Sequence, residues 1–145
     1  MPVPVTAISI LYVEDDDMVR MATTQILKMK YPQFSLVSAV NGKEGLEVFR
    51  LIRPAIVITD IVMPLMDGVQ MAKEIKAIVS GVQFIVTSAD SEEGEITAAL
   101  NLDSGSYIRK PFNPSTLFAA IDNCIERMTV TLNSRQFQPV AAVLN

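Results

Sequence analysis

Short apolar runs alternate along this chain with longer segments in which apolar residues recur every three or four positions. Runs of about four to eight apolar residues rich in Val and Ile are typical of buried strands, and the longer spacing is typical of helices that pack on one face. The pattern predicts five strands, at residues 8–13, 34–39, 55–59, 82–87 and 106–109. It predicts a helix after each strand, at about residues 17–30, 42–53, 69–79, 90–102 and 114–128.

Strands that alternate with helices indicate an α/β fold with a parallel sheet. Asp17 is predicted to cap the first helix, and Pro54 to end the second. We expect one domain at residues 1–128. Residues 129–145 break the alternation and are expected to be a C-terminal tail or the start of a linker. The alternative is that part of this segment packs on this or a neighbouring chain, because it holds Val130, Leu132, Phe137 and Val140.

Composition narrows the class of protein. A chain of 145 residues is long enough to bury ~70% of its unfolded surface in one core. The net charge is −4 and there is no basic run, so nucleic-acid binding by this segment is not expected. The chain contains no histidine, which excludes Ser-His and Cys-His catalysis and His-ligated zinc.

The cellular setting is indicated by cysteine usage and hydropathy. Cys124 is the only cysteine, which excludes an internal disulfide, and its helical apolar surroundings predict core packing. The first residues lack a basic signal region, and no run reaches the roughly 18 apolar residues of a membrane span. We therefore expect a cytoplasmic protein with no membrane partner.

Groups capable of chemistry follow four of the predicted strands where those strands end. Because the carboxyl ends of parallel strands meet at one edge of a sheet, and ligands bind there, we expect these groups to converge. They are Glu14 and Asp15 after the first strand, Asp60 after the third, Thr87 or Ser88 after the fourth, and Lys110 after the fifth.

Three acids in one pocket require compensation. Two unit charges ~4 Å apart repel by roughly 4 kcal/mol at an effective dielectric constant near 20, so such a cluster raises its pKa values or binds a cation. Carboxylate oxygens and water suit Mg²⁺ or Mn²⁺. Asp60 could act as a nucleophile toward phosphorus, with a metal and the Lys110 ammonium offsetting the phosphoryl charge.

The motifs VEDD, TDIVMPLMDG, VTSA and YIRKPF, in this order and spacing, resemble the receiver domain of bacterial two-component response regulators. The resemblance covers about residues 7–128. It implies a doubly wound sheet of five parallel strands in the order 2-1-3-4-5 with helices on both faces. It also implies a regulator that catalyses only its own phosphorylation and dephosphorylation, and not an enzyme acting on a metabolite.

The resemblance implies a role for each site residue. Asp60 is the expected phosphoacceptor, and Asp15 and Asp60 are expected to bind Mg²⁺ directly. Glu14 is expected to bind it through water, and the backbone carbonyl of Val62 is expected to be a further ligand. Lys110 is the expected phosphate-binding lysine, and its bond to Pro111 is expected to be cis.

The resemblance also implies a switch and its partners. Ser88 is the expected switch hydroxyl, with Thr87 as the alternative, and Tyr107 is the expected switch aromatic. The phosphoryl donor would be a sensor histidine kinase or a histidine phosphotransfer protein. Phosphorylation would change the surface formed by the fourth helix, fifth strand and fifth helix, which would regulate an output domain or protein and can support a homodimer.

Some positions of the chain depart from the family pattern or occupy variable positions within it. Asp103-Ser104 replaces a Gly-Ala pair before the fifth strand, and Val62 and Asp90 occupy positions that tune dephosphorylation in the family. Because an apolar Val62 cannot orient an attacking water, we expect slow self-hydrolysis.

Three other functions are alternatives to a phosphoacceptor receiver. An aspartyl-phosphate hydrolase of the haloacid dehalogenase type would need a second acid at the position of Val62. A flavodoxin-like cofactor binder shares the fold, but the acids would repel the phosphate of its cofactor. The third alternative is a degenerate receiver that serves only as an interaction module.

Overall fold

A computed structural model describes residues 8–89, 93–103 and 105–144, with side chains described up to residue 129. The described chain forms five strands and five helices in strict alternation. The strands are Ser9–Val13 (β1), Ser35–Ala39 (β2), Ile56–Asp60 (β3), Gln83–Ser88 (β4) and Tyr107–Arg109 (β5). The helices are Asp17–Lys30 (α1), Gly42–Ile52 (α2), Gly68–Ile78 (α3), Glu93–Leu100 (α4) and Pro114–Leu144 (α5).

All four strand pairings are parallel, and the sheet order is β2-β1-β3-β4-β5, as predicted. One hydrophobic core lies between the sheet and helices α2, α3 and α4, and a second lies between the sheet and helices α1 and α5. Because both faces of β1 and β3 are covered, these strands read as continuous apolar runs. The strand order reverses between β1 and β3, and such a reversal opens a crevice at the carboxyl edge of the sheet.

Local side-chain hydrogen bonds determine where the helices begin. Asp16, and not Asp17 as predicted, caps α1: its backbone is extended and its carboxylate accepts a hydrogen bond from the Val19 amide at 3.0 Å. Asp17 is the first helical residue. Asn41 caps α2 by accepting a hydrogen bond from the Glu44 amide, and Arg53 ends that helix in a left-handed conformation just before Pro54.

The ends of α4 and α5 differ from the sequence prediction. Helix α4 begins at Glu93, and the first residues of the predicted helix, 90–92, lie outside the described residues. Helix α5 was expected to end near Met128 but continues to Leu144. Residues 115–138 contain neither glycine nor proline, so no such residue interrupts the helical backbone over that stretch, and Pro139 lies in the last two turns of the helix. None of the described helices is both long enough and apolar enough to cross a membrane.

Candidate functional site

The carboxyl ends of β1 and β3 bring three acids together. Glu14 follows β1 directly, Asp60 is the last residue of β3, and one carboxylate oxygen from each of Glu14, Asp15 and Asp60 lies within 4.8 Å of the others. Glu14 is buried at 1% exposure, the Asp60 side chain is 14% exposed, and Asp15 is open to solvent. The predicted acid cluster is therefore present, with one acid in each of three different environments.

Lys110 reaches this cluster from the end of β5. Its ammonium donates hydrogen bonds to Glu14 Oε1 at 2.9 Å and to Asp60 Oδ2 at 3.0 Å. Its backbone amide donates to the Ser88 carbonyl at 2.8 Å, which extends the pairing of β5 with β4. The bond from Lys110 to Pro111 is cis, as predicted. One lysine thus links the tips of three strands.

The charges in the pocket influence one another. Burial raises the pKa of Glu14, the hydrogen bond from Lys110 opposes that rise, and the nearby Asp60 charge adds to it. Burial lowers the pKa of Lys110, but its hydrogen bonds to Glu14 and Asp60 outweigh burial, so the net direction is upward. Lys110 therefore stays protonated at neutral pH. Three ionised carboxylates against one ammonium would leave the pocket negative, and a divalent cation bound by oxygen ligands fits both the charge and the donor set.

Asp60 is held by the backbone around it. Its Oδ1 accepts a hydrogen bond from the Ile61 amide at 2.8 Å, while Lys110 binds Oδ2. The Gly68 amide donates to the Ile61 carbonyl at 2.8 Å, and a Cβ at Gly68 would lie 2.1 Å from the Asp60 carbonyl oxygen. Only glycine permits this close approach, which brings the start of α3 directly against the end of β3.

The two candidate hydroxyls at the end of β4 lie in different surroundings. Thr87 pairs with Asp60 in the sheet register, and its hydroxyl donates to the Thr59 carbonyl at 3.5 Å. Ser88 is equally buried and comes one position later. Because side chains alternate along a strand and Val86 pairs with Tyr107, Ser88 and Tyr107 lie on the same face of the sheet. Tyr107 is buried in the core that includes α4. The choice of Ser88 stays a prediction.

The remaining acids of the EDDD segment lie outside the cluster. Asp16 caps α1 and Asp17 pairs with Arg20 at 2.5 Å, so neither is among the acids that the structure brings together. Val62 is 66% exposed, and its role as a metal ligand through the backbone carbonyl stays a prediction.

One contact was not predicted from the sequence: the Arg20 guanidinium donates a hydrogen bond to the Glu14 carbonyl at 2.9 Å. The sequence gives little indication of this contact, because an arginine in the first turn of a helix usually faces solvent.

The fold and the site define a doubly wound α/β protein whose carboxyl edge joins an acid cluster to a single lysine. Comparison with protein families matches residues 10–122 to the response regulator receiver domain. The chain therefore belongs to the response regulator receiver domains of two-component signalling systems. Receiver domains bind Mg²⁺ at an acidic pocket, and Glu14, Asp15 and Asp60 form an acidic cluster of this kind.

Relatives of known sequence and structure agree with this assignment. The transcriptional regulatory protein CseB of Streptomyces avermitilis is 34% identical over 118 residues, which are 81% of this chain but 49% of CseB, so the chain spans about half of that relative. The chemotaxis protein CheY of Halobacterium salinarum is 30% identical over 117 residues, 80% of this chain and 95% of CheY. A CheY-like receiver domain from Methanospirillum hungatei JF-1 superimposes with a TM-score of 0.77 at 24% identity, covering 86% of this chain and 98% of that one, and supports the fold.

Proposed function

We propose that Asp60 accepts a phosphoryl group from the phosphohistidine of a partner kinase or phosphotransfer protein. The observation that carries this proposal is the position of Asp60, beside Glu14 and Asp15 and within hydrogen-bond distance of Lys110. In this step an Asp60 oxygen forms a bond to phosphorus while the bond from phosphorus to the donor nitrogen breaks, and the leaving imidazole gains a proton. The Ile61 amide and Lys110 orient the two oxygens before transfer.

The residues that would hold Mg²⁺ are Asp15 and Asp60 directly, Glu14 through water, and the Val62 carbonyl. When bound, Mg²⁺ offsets negative charge on the transferring phosphoryl group and on the acids. Mn²⁺ has the same preference for oxygen ligands and would serve in its place. Lys110 leaves its hydrogen bond to Asp60 and binds a phosphoryl oxygen, because that charge-assisted hydrogen bond is then available to it.

The output of the site is a change of surface. The Ser88 hydroxyl donates to the phosphoryl group, which draws the end of β4 toward Asp60. Tyr107, on the same sheet face as Ser88, then repacks against α4 and changes the surface formed by α4, β5 and α5. That surface would bind an output domain or protein, or a second copy of this chain. One relative, CseB, is a transcriptional regulatory protein and another, CheY, is a chemotaxis protein, so the relatives serve different outputs.

The decisive experiment is phosphorylation by acetyl phosphate in Mg²⁺ buffer, followed by intact-protein mass spectrometry. Wild-type protein should gain one phosphoryl group, and Asp60→Asn should gain none. Asp16→Asn is the matched control, because it makes the same chemical change in an acid that only caps α1, and Asn caps helices equally well. Labelling that persists in Asp60→Asn would refute the assignment, and a wild-type protein that is never labelled would favour a degenerate receiver.

The same experiment separates the rival hydrolase. A phosphatase of the haloacid dehalogenase type would release phosphate from small phosphomonoesters with turnover. The second acid that such an enzyme needs is replaced by Val62 here. We therefore expect a single, stoichiometric phosphorylation and no steady release of phosphate from p-nitrophenyl phosphate.

A further inference from the structure

Arg20 on α1 contacts the backbone of the acid pair, not its carboxylates. Its side chain is 15% exposed, and Nη1 donates to the Glu14 carbonyl oxygen at 2.9 Å while Nη2 donates to Asp17 Oδ1 at 2.5 Å. Asp17 itself is 81% exposed, so its ion pair with Arg20 is open to water and contributes little to stability. The contact with Glu14 is the shielded one.

The carbonyl that Arg20 binds belongs to the peptide joining Glu14 to Asp15. On the other side of Glu14, the backbone amide donates to the Ala39 carbonyl at 3.1 Å, as an extension of the pairing between β1 and β2. Glu14 is therefore held through its amide by β2 and through its carbonyl by α1. The orientation of the second peptide determines the direction in which both Glu14 and Asp15 leave the backbone.

From this geometry we propose that Arg20 is a positioning residue for cation binding at the acid cluster. The inference rests on the metal site of the proposed function. By holding the Glu14 carbonyl, Arg20 keeps Glu14 and Asp15 at the separation that lets both join Asp60. The planar guanidinium can bind the carbonyl and Asp17 at once, which a lysine ammonium on a flexible stem does less well.

Two effects of Arg20 on the affinity for a cation have opposite signs. As a positive charge near three acids, Arg20 weakens cation binding, so its removal would tighten binding if only its charge mattered. As a positioning group it strengthens binding, so its removal would weaken binding. The sign of the change therefore distinguishes the two roles.

The test is titration of the full chain with Mn²⁺, with the free ion followed by electron paramagnetic resonance. We expect Arg20→Met to bind Mn²⁺ about fivefold to tenfold more weakly than wild type, because it loses one charge-assisted hydrogen bond whose free energy is partly coupled to cation binding. The affinity of Arg20→Lys should lie between those of Arg20→Met and wild type. Asp17→Asn, which breaks only the exposed ion pair, should change the affinity less than about twofold. Arg50→Met removes an exposed arginine from α2 and is the matched control.

Binding to Arg20→Met that is equal to or tighter than wild type would overturn the inference. If Arg20→Met does not fold by circular dichroism, Arg20→Lys decides alone, because it keeps the charge: weaker binding supports positioning and unchanged binding refutes it. A lower melting temperature with unchanged Mn²⁺ affinity would show a merely structural role. Asp15→Asn tests the proposed metal site separately from the role of Arg20. The metal site is contradicted if wild-type protein binds no Mn²⁺, or if Asp15→Asn binds Mn²⁺ as well as wild type does.

Discussion

Replacing Gly68 with Ala tests the close packing of α3 against the end of β3. The new Cβ would lie 2.1 Å from the Asp60 carbonyl oxygen and 3.0 Å from Thr59 Oγ1. A carbon cannot approach a backbone oxygen that closely, so α3 or the end of β3 must shift by roughly 1 Å. Overpacking of this kind costs about 1–3 kcal/mol. For a domain of this size, each kcal/mol lowers the melting temperature by about 2–4 °C.

The assay is thermal unfolding followed by circular dichroism, combined with the rate of phosphorylation by acetyl phosphate. We expect Gly68→Ala to melt about 2–12 °C lower than wild type. It should also be phosphorylated more slowly, because the shift moves the Asp60 backbone. Gly94→Ala is the control: a Cβ there has no atom within 4 Å, and Ala favours the helix. Equal melting temperatures for Gly68→Ala and wild type would refute the packing argument.

Three further predictions concern separate parts of the molecule. Val62→Asn should shorten the lifetime of phosphorylated protein in Mg²⁺ buffer, because an exposed amide can orient water; a lifetime no shorter than wild type would contradict this. Cys124, fully buried with a pKa raised by burial to about 11, should react with Ellman's reagent at pH 8 only on unfolding in urea, and rapid native reaction would be inconsistent with that burial. Tyr31→Phe removes hydrogen bonds to Asp122 and the Phe118 carbonyl and should lower the free energy of unfolding in urea by about 0.5–1.5 kcal/mol; no change would count against that link between α1 and α5.

The local pattern of apolar and polar residues was sufficient to predict the strands and helices, because their formation depends mainly on neighbouring residues. The apolar runs predicted all five strands to within a residue or two, and the helical spacing predicted the start of α2 at residue 42. The exceptions are also local. Asp16 and Asp17 are chemically identical, and the cap belongs to the one whose backbone is extended, which the residue type does not reveal.

The site could be predicted as a set of residues but not as a geometry. That acids and a lysine follow separate strands is visible in the sequence, and the parallel fold implies that they share an edge. The resemblance to receiver domains supplied their proposed roles. The structure adds that Lys110 binds both Glu14 and Asp60, which lie 96 and 50 residues away along the chain.

The sequence by itself therefore determined the alternation of elements, the apolar cores and the residue types at the strand tips, because each follows from short-range patterns of hydrophobic and polar side chains. Only the tertiary structure decided which oxygens Lys110 binds, how closely Gly68 approaches Asp60, and that Arg20 holds the Glu14 carbonyl. Lys110 contacts residues 96 and 50 positions away along the chain, so its partners depend on strand order. Arg20 and Gly68 lie near their partners in the sequence, but their contacts depend on how α1 and α3 pack against the strand ends, which residue type alone does not specify.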